Sequence, residues 1–502
     1  MHLLGLDVGT TGCKALVIDE EGTVKGTAYR GYGIKTNSSG KAEQNAEDVW
    51  ESVLLVMAEA ASKSKAQNDI SALSLSVQGD ALIPVDKNGN ALSNAILGMD
   101  YRSEGCADMC AEQFGDYNLY EKTGMRPHPM NFLTKILFLR TVDKNIFTKA
   151  FRFVTYADFL LRKMGVSDII DNTMASRTMA YSIQHHNWAY DILSILEIPS
   201  EKLSKVVPSG TAVGTLNPSI AAQAGISSEV IIVTGGHDQT CAALGAGVID
   251  TGTGVISTGT AEVYSRIYSE APLNENMFDG YYPAYEYHVA GHYFTFSLNH
   301  TGGLLLKWFC DEYCTEYKEE AFKKGSSLYS RLDSMCSSQP TDIFFLPHLN
   351  GSGTPWCDMK SKGAIIGLKL STGRIDIYKA IMESLTYELA INIELLENRF
   401  NPVKELVAVG GGAASDIWMQ IKADILDRPI SRTSIGEAAC LGAALLAGTG
   451  VKVFTDLREA TGTCVKKAKI FYPRKKYGTI YKGKLKIFKE LYPLLLSVNK
   501  RL

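Results

Sequence analysis

Two short turns rich in glycine and threonine constrain this chain more than any other feature. One lies near the start, the other just past the middle. Leu3–Leu6 run into Asp7-Val-Gly-Thr-Thr-Gly-Cys-Lys14, and Ala15–Ile18 follow. Gly254–Ser257 run into Thr258-Gly-Thr-Ala-Glu262, and Val263-Tyr264 follow. Each stretch reads as strand, tight loop, strand. A second pair reads as strand, glycine loop, helix. Val230–Val233 leads through Thr234-Gly-Gly-His-Asp-Gln239 to a small-residue helix at Thr240–Ala246. Leu406–Val409 leads through Gly410-Gly-Gly-Ala-Ala-Ser415 to a helix at Asp416–Leu426. On this reading the two glycine loops occupy matching points of an ancient α/β duplication. Its boundary lies near Gly247, giving domains 1–246 and 247–502, with the tail from about 450 packing back on the first. The unequal spacing between the loops excludes a short-period repeat array.

Length agrees with two domains, since 502 residues exceed what one core usually organises. A net charge of -3 leaves no electrostatic footprint for nucleic acid or acidic membrane. The first residues lack the basic and apolar regions of a signal peptide, and no apolar run would span a bilayer, so a cytoplasmic location is expected. The ten cysteines lack paired zinc spacing and read as reduced thiols. Trp50, Val53, Leu54 and Met57 recur at helical spacing behind Asn45 and Asp48 as caps; Ile377, Ala380, Ile381 and Leu385 mark a long helix. The lysine- and aromatic-rich tail from Lys466 to Arg501 reads as a solvated helix face.

The first loop carries the chemistry of a polyphosphate site. Its glycines let backbone N–H groups approach an anion, Thr10 and Thr11 add hydroxyl donors, and Lys14 adds charge. Asp7, at a strand end, suits Mg²⁺ held through water. An ordinary hairpin turn would carry similar residues. The second loop, with Thr258, Gly259 and Thr260, repeats the device, and two such loops grip a polyphosphate from two sides. Gly410–Gly412 would seat a nucleoside or phosphate at a helix N-terminus. It lacks the spacing of a dinucleotide fingerprint. Asp238 stands beside a glycine loop, placed either to accept a proton from a hydroxyl or to cap a helix. His237 reads as a structural or substrate-lining residue.

Together these motifs resemble the FGGY carbohydrate kinases over nearly the whole chain. Gly363-Ala-Ile-Ile-Gly-Leu368 with Asp376-Ile-Tyr-Lys-Ala-Ile-Met-Glu383 is similar to the family's C-terminal signature. The Gly410 loop with Trp418–Asp424 resembles its adenosine side, and Glu437 with Leu441–Ala444 the helix that follows. The resemblance implies two duplicated actin-like (ribonuclease H-like, ASKHA) domains around a central cleft, with ATP and Mg²⁺ as cofactors. It implies Asp238 as catalytic base and Asp7 beside Mg²⁺. Thr10, Thr11, Lys14, Thr258, Gly259 and Thr260 would hold phosphates, and Gly411, Gly412 and Ala413 the nucleotide. Gln78, Gly79, Asp80, Asp100, Arg102, Asp238 and Gln239 would line the sugar site.

The layout is most like the xylulokinase branch, so a ketopentose such as xylulose is the first expectation. The sugar pocket departs from that branch. Gln78-Gly79-Asp80-Ala81 replaces Gln-Met-His-Gly, Gly98 stands where a Trp is usual, and Phe138 replaces another Trp. Asp238-Gln239 is nearer the glycerol kinase pairing. Another pentulose or a polyol such as erythritol or glycerol therefore stays open, as do an actin-like ATPase and a non-catalytic sugar sensor. Base rates favour a homodimer.

Overall fold

The computed structural model describes residues 1–323 and 325–502. Two large sheets organise them. The first has six strands in the order Ala212–Thr215, Ile231–His237, Ile70–Val77, His2–Val8, Gly12–Asp19, Val24–Gly31. His2–Val8, Gly12–Asp19 and Val24–Gly31 form an antiparallel meander, while Ile70–Val77 and Ile231–His237 run parallel to the first strand side. The second sheet repeats this plan around Thr253–Thr258, with Glu262–Tyr268 and Tyr293–Asn299 as its meander. Glu405–Val409 and Ile430–Thr433 are its parallel strands.

The duplication is therefore real, but one pairing differs from the sequence reading. Glu405–Val409 is the first parallel strand beside the central one; Ile231–His237 is the second. The counterpart of Glu405–Val409 is Ile70–Val77, and the Gly410 loop corresponds to Gln78-Gly79-Asp80 rather than to the Asp238 loop. The reason is chemical. The loop after Ile70–Val77 has exchanged its glycine run for side chains, so likeness in glycine content linked non-equivalent strands.

The true counterparts, helices Asp238–Gly245 and Ala438–Gly450, cross between the sheets. Their approach is too close for side chains. A Cβ on Gly442 would lie 1.9 Å from the Cys241 carbonyl oxygen, and one on Gly245 1.9 Å from that of Ala438. Cys440, Leu441, Ala444 and Leu445 of the later helix pack on Leu3, Leu16, Ile18 and Ala72 of the first sheet. Ala243 of the earlier helix joins Val255, Val407 and Val409 of the second. Each half thus supplies a helix to the other half's core.

Helix Ala46–Ser64 forms where the apolar stripe indicated, with the Asn45 side chain accepting from the Glu47 amide at 3.1 Å. The long helix spans Arg374–Glu397 and is buried along most of its length. Past residue 450 the chain divides. Phe454, Ala460 and Cys464 pack with Leu3 and Ile18, whereas Lys467–Phe471 joins the edge of the second sheet. Helix Lys475–Asn499 buries Tyr477, Tyr481, Leu485, Phe488 and Leu491 on that side and turns its lysines outward. All ten cysteines are free. No helix among the described residues is long and apolar enough to cross a membrane.

Candidate active site

Three neighbouring parallel strands of the first sheet end together, and their ends deliver the polar groups. His2–Val8 brings Asp7, Ile70–Val77 leads to Gln78, and Ile231–His237 leads to Asp238. Such carboxyl ends are where α/β sheets present ligand sites. Asp7 lies directly across the hairpin from Lys14. Its Oδ1 accepts the Ser76 hydroxyl at 2.7 Å. Burial pushes the Asp7 carboxyl up, against the pull of Ser76 and Lys14. Lys14 Nζ pairs at 2.5 Å with Glu437, at the start of the helix lent by the second half, and both side chains remain partly open. Thr10, half-buried, and Thr11, exposed, form the turn of this loop, whose chain closes through a Gly9 amide to Gly12 carbonyl bond of 3.0 Å.

Asp238 is the first residue of its helix, and His237 occupies the cap position. The aspartate is therefore not the cap. Its carboxyl is pushed up to about 7, chiefly by burial and then by repulsion from Asp7, while the Gln239 amide and Arg177 pull it down. The side chain keeps 29% of its surface open, so solvent tempers that push. His237 Nε2 lies 3.2 Å from Asp238 Oδ1, and its Nδ1 lies 3.1 Å from the Tyr285 hydroxyl. Burial, with Arg177 and His288 nearby, holds His237 well below the usual imidazole range and so neutral.

The expected sugar residues fall into two groups. Gln78 is buried, with Nε2 donating to Gln44 at 3.2 Å; Asp80 is buried in an ion pair with Arg177, Oδ2 to Nη2 2.5 Å. Gly79 faces His237 so closely that a Cβ would sit 2.8 Å from Nε2. Gly79 thus lies beside His237, and Asp80 is near enough to Asp238 to act on its charge. Asp100 and Arg102 form a separate clamp. Asp100 accepts the Ala42 amide at 2.9 Å and the Arg102 Nε at 3.0 Å, and Arg102 also binds Glu43 at 2.7 Å. Phe138 lies over the Arg102 guanidinium at 5.2 Å. The clamp's charges are spent on one another.

The second half opens a cleft of about 780 Å³. Thr258, Gly259, Gly411 and Gly412 line it, together with Ser415, Trp418 and Arg432. The loops touch. A Cβ on Gly410 would lie 2.7 Å from the Thr258 carbonyl oxygen, and Gly410 adopts a φ of +84° that favours glycine. The Thr258 hydroxyl donates to Glu262 at 2.8 Å, and Glu262 pairs with Lys422, both without exposed surface. Gly411 faces open space, as a ligand-facing position should. Thr260 is exposed on the turn outside the cleft lining, and Ala413 is buried beneath it, its carbonyl accepting Arg432 at 3.0 Å.

Sequence reasoning missed the wall formed by Ser327, Tyr329, Ser330 and Asp333. A Ser cap before Leu328 and Leu332 was the available signal. It also missed Arg177, which carries no motif.

The chain matches the FGGY family of carbohydrate kinases, N-terminal domain, over residues 2–245 and the C-terminal domain over residues 254–451. It is 28% identical to a xylulose kinase of Bacillus subtilis (strain 168), over 100% of this chain and 98% of that one. It is also 28% identical to a gluconokinase of the same organism, over 95% and 94%. Among solved structures, a ligand-bound xylulose kinase from Lactobacillus acidophilus superposes with a TM-score of 0.88 at 22% identity, covering 100% of this chain and 99% of the other.

Proposed function

The chain belongs to the FGGY family of carbohydrate kinases, and we propose that it transfers the γ-phosphate of ATP to a terminal hydroxyl of a small neutral sugar or polyol. A ketopentose such as xylulose is the first candidate. Two relatives with different named substrates stand at equal identity, so the pocket's own chemistry must choose between them. One observation carries the reading. A carboxyl raised to about 7, Asp238, sits on the first half beside Asp7, and the second half carries its own glycine–threonine loop at the lining of an open cleft.

Phosphoryl transfer asks a protein mainly for positioning and charge neutralisation. Asp238 takes the proton of the attacking hydroxyl as that oxygen meets the γ-phosphorus. Its affinity for protons lies near neutrality, where a general base works best. His237, neutral and held by Tyr285 at Nδ1, lies with Nε2 3.2 Å from the Asp238 carboxylate and packs beside the base. The Thr10–Thr11 turn and the Thr258–Gly259 turn donate to charge on the moving group. Lys14 exchanges Glu437 for phosphate oxygens.

Mg²⁺ suits these residues. Among the described residues no cluster of three or more His, Cys, Asp or Glu cages a metal. A cation held mainly by phosphates and water needs only one or two carboxylates. Asp7 and Asp238, both raised by burial and near each other, supply hard-oxygen charge whose mutual repulsion a divalent cation would relieve. Asp7 would hold the ion, through water, and the ion would neutralise phosphate charge. A cytoplasmic location fits an enzyme that draws on ATP.

A second reading, for another pentulose or a polyol such as erythritol or glycerol, rests on Asp80 and on Gly98, which lies against it. Coupled ADP release with Mg-ATP over ketoses, aldoses, polyols and sugar acids tests both. Turnover on one or two neutral members supports the proposal. ATP hydrolysis indifferent to every sugar defeats it.

A further inference from the structure

Two polar atoms at the heart of the first half lack any protein partner. Asp80 Oδ1 and Arg177 Nε are both buried and unsatisfied, although Asp80 Oδ2 and Arg177 Nη2 pair at 2.5 Å. An orphaned acceptor and an orphaned donor on the two members of one ion pair are costly unless something else completes them. Both side chains are held rigidly. Asp80 adopts a left-handed φ of +67°, and Lys135 donates to its carbonyl. The Arg177 guanidinium stands 5.1 Å from the Tyr285 ring and 5.6 Å from that of Phe296, both from the second half.

Two glycines border the pair. Gly79 lies where a Cβ would come 3.6 Å from Arg177 Nε, and Gly98 where one would come 3.4 Å from Asp80 Cβ. Arg177 also lies close enough to Asp238 and His237 to act on their charge states. The incomplete pair is thus next to the group assigned as base.

Resting on the kinase reading above, we infer that the Asp80–Arg177 pair reads one hydroxyl of the sugar other than the one phosphorylated. That hydroxyl donates to Asp80 Oδ1 and accepts from Arg177 Nε. A hydroxyl does both at once; a carboxylate cannot donate, and would meet Asp80 as a like charge. The pair therefore selects neutral polyhydroxylated substrates and rejects sugar acids. Arg177 is the specificity-determining contact that completes Asp80.

The test uses the intact chain, its best neutral sugar, the deoxy analogues of that sugar and the matching sugar acid. In the native protein one deoxy position should lower kcat/KM by about 100-fold or more, as sites built around a hydroxyl do. In the charge-neutral double variant Asp80→Asn/Arg177→Gln the same comparison should shrink to within about tenfold, through KM more than kcat, and the acid should gain relative to the sugar. A folded double variant that keeps the full discrimination overturns the inference. So does a native protein that prefers the acid, or one indifferent to every deoxygenation. Should the double variant not fold, Arg177→Lys decides. It keeps the charge opposite Asp80 Oδ2 but lacks Nε–H, and must lose the deoxy discrimination. A protein that hydrolyses ATP without regard to any sugar instead removes the kinase reading itself.

Discussion

His237 Nε2 lies 3.2 Å from Asp238 Oδ1, and Nδ1 of the same ring lies 3.1 Å from the Tyr285 hydroxyl. Tyr285 thus anchors one edge of the neutral ring, and the other edge lies beside the Asp238 carboxylate. Asp238→Asn keeps the shape and removes the base. Its turnover should fall by about 10²–10⁴-fold, with ATP affinity within a few-fold of native. ADP release and calorimetric titration with ATP check both halves, and near-native turnover refutes the assignment.

The raised Asp238 carboxyl also fixes a pH profile. The base must be ionised to work, so kcat/KM should rise as pH passes through about 7 and level above it. The limb in kcat should lie at lower pH, because phosphate-bound Mg²⁺ in the ternary complex favours the carboxylate. Arg177 lowers the Asp238 value, so Arg177→Gln should move the kcat/KM limb upward. Profiles with saturating ATP and limiting sugar separate these terms. A flat profile between pH 5 and 9 contradicts them.

What the sequence discloses here is what a short segment can express alone. The two loops, the helix capped by Asn45 and the lysine-faced terminal helix each depend on neighbours a few residues away. Asp7 opposite Lys14 follows from a hairpin of known length. Asp238 was legible as a candidate, but its choice between cap and base was not, since that turns on a single residue of helix register. The Asp80–Arg177 pair joins residues 97 apart, and nothing local marks Arg177. Asp100 and Arg102 are close in sequence, but Glu43 and the Ala42 amide that complete their clamp come from another strand. The exchanged strand counterparts have the same origin, because sheet order is a long-range property.

Glu262 and Lys422 form a pair with no exposed surface, and Glu262 also holds the Thr258 hydroxyl. Burial lowers the Lys422 ammonium, which relies on Glu262 to stay charged. Glu262→Gln leaves that cation unpartnered and should cost about 3–5 kcal/mol of stability. It should also loosen the Thr258–Gly259 turn and raise the KM for ATP more than that for sugar. Denaturant unfolding with parallel kinetics measures both. A loss under about 1 kcal/mol would show that the cleft hydrates the pair.

Gly442 and Gly245 permit the helix crossing that joins the halves. Since a Cβ on Gly442 would lie 1.9 Å from a backbone oxygen, Gly442→Ala cannot be absorbed by a rotamer change. The backbone must separate, at about 1–3 kcal/mol or more. A lowered unfolding midpoint with an unchanged denaturant slope is the expected result.

Gly98 offers the most direct probe of the pocket's size. A Cβ there would lie 3.4 Å from Asp80 Cβ and 4.0 Å from Asp80 Oδ2, so the backbone admits a side chain beside the hydroxyl-reading pair. Its φ is not in the left-handed region, so no conformational penalty opposes the change. Gly98→Trp therefore adds bulk next to Asp80 from a backbone that accepts a Cβ. The indole would crowd the space beside the Asp80–Arg177 pair. The KM for the native sugar should rise by about tenfold or more, the KM for ATP should stay within about twofold, and shorter polyols should suffer least. Steady-state kinetics over a chain-length series reads this directly. An unchanged sugar KM would place Gly98 outside the substrate's reach and leave the width of the pocket to other residues.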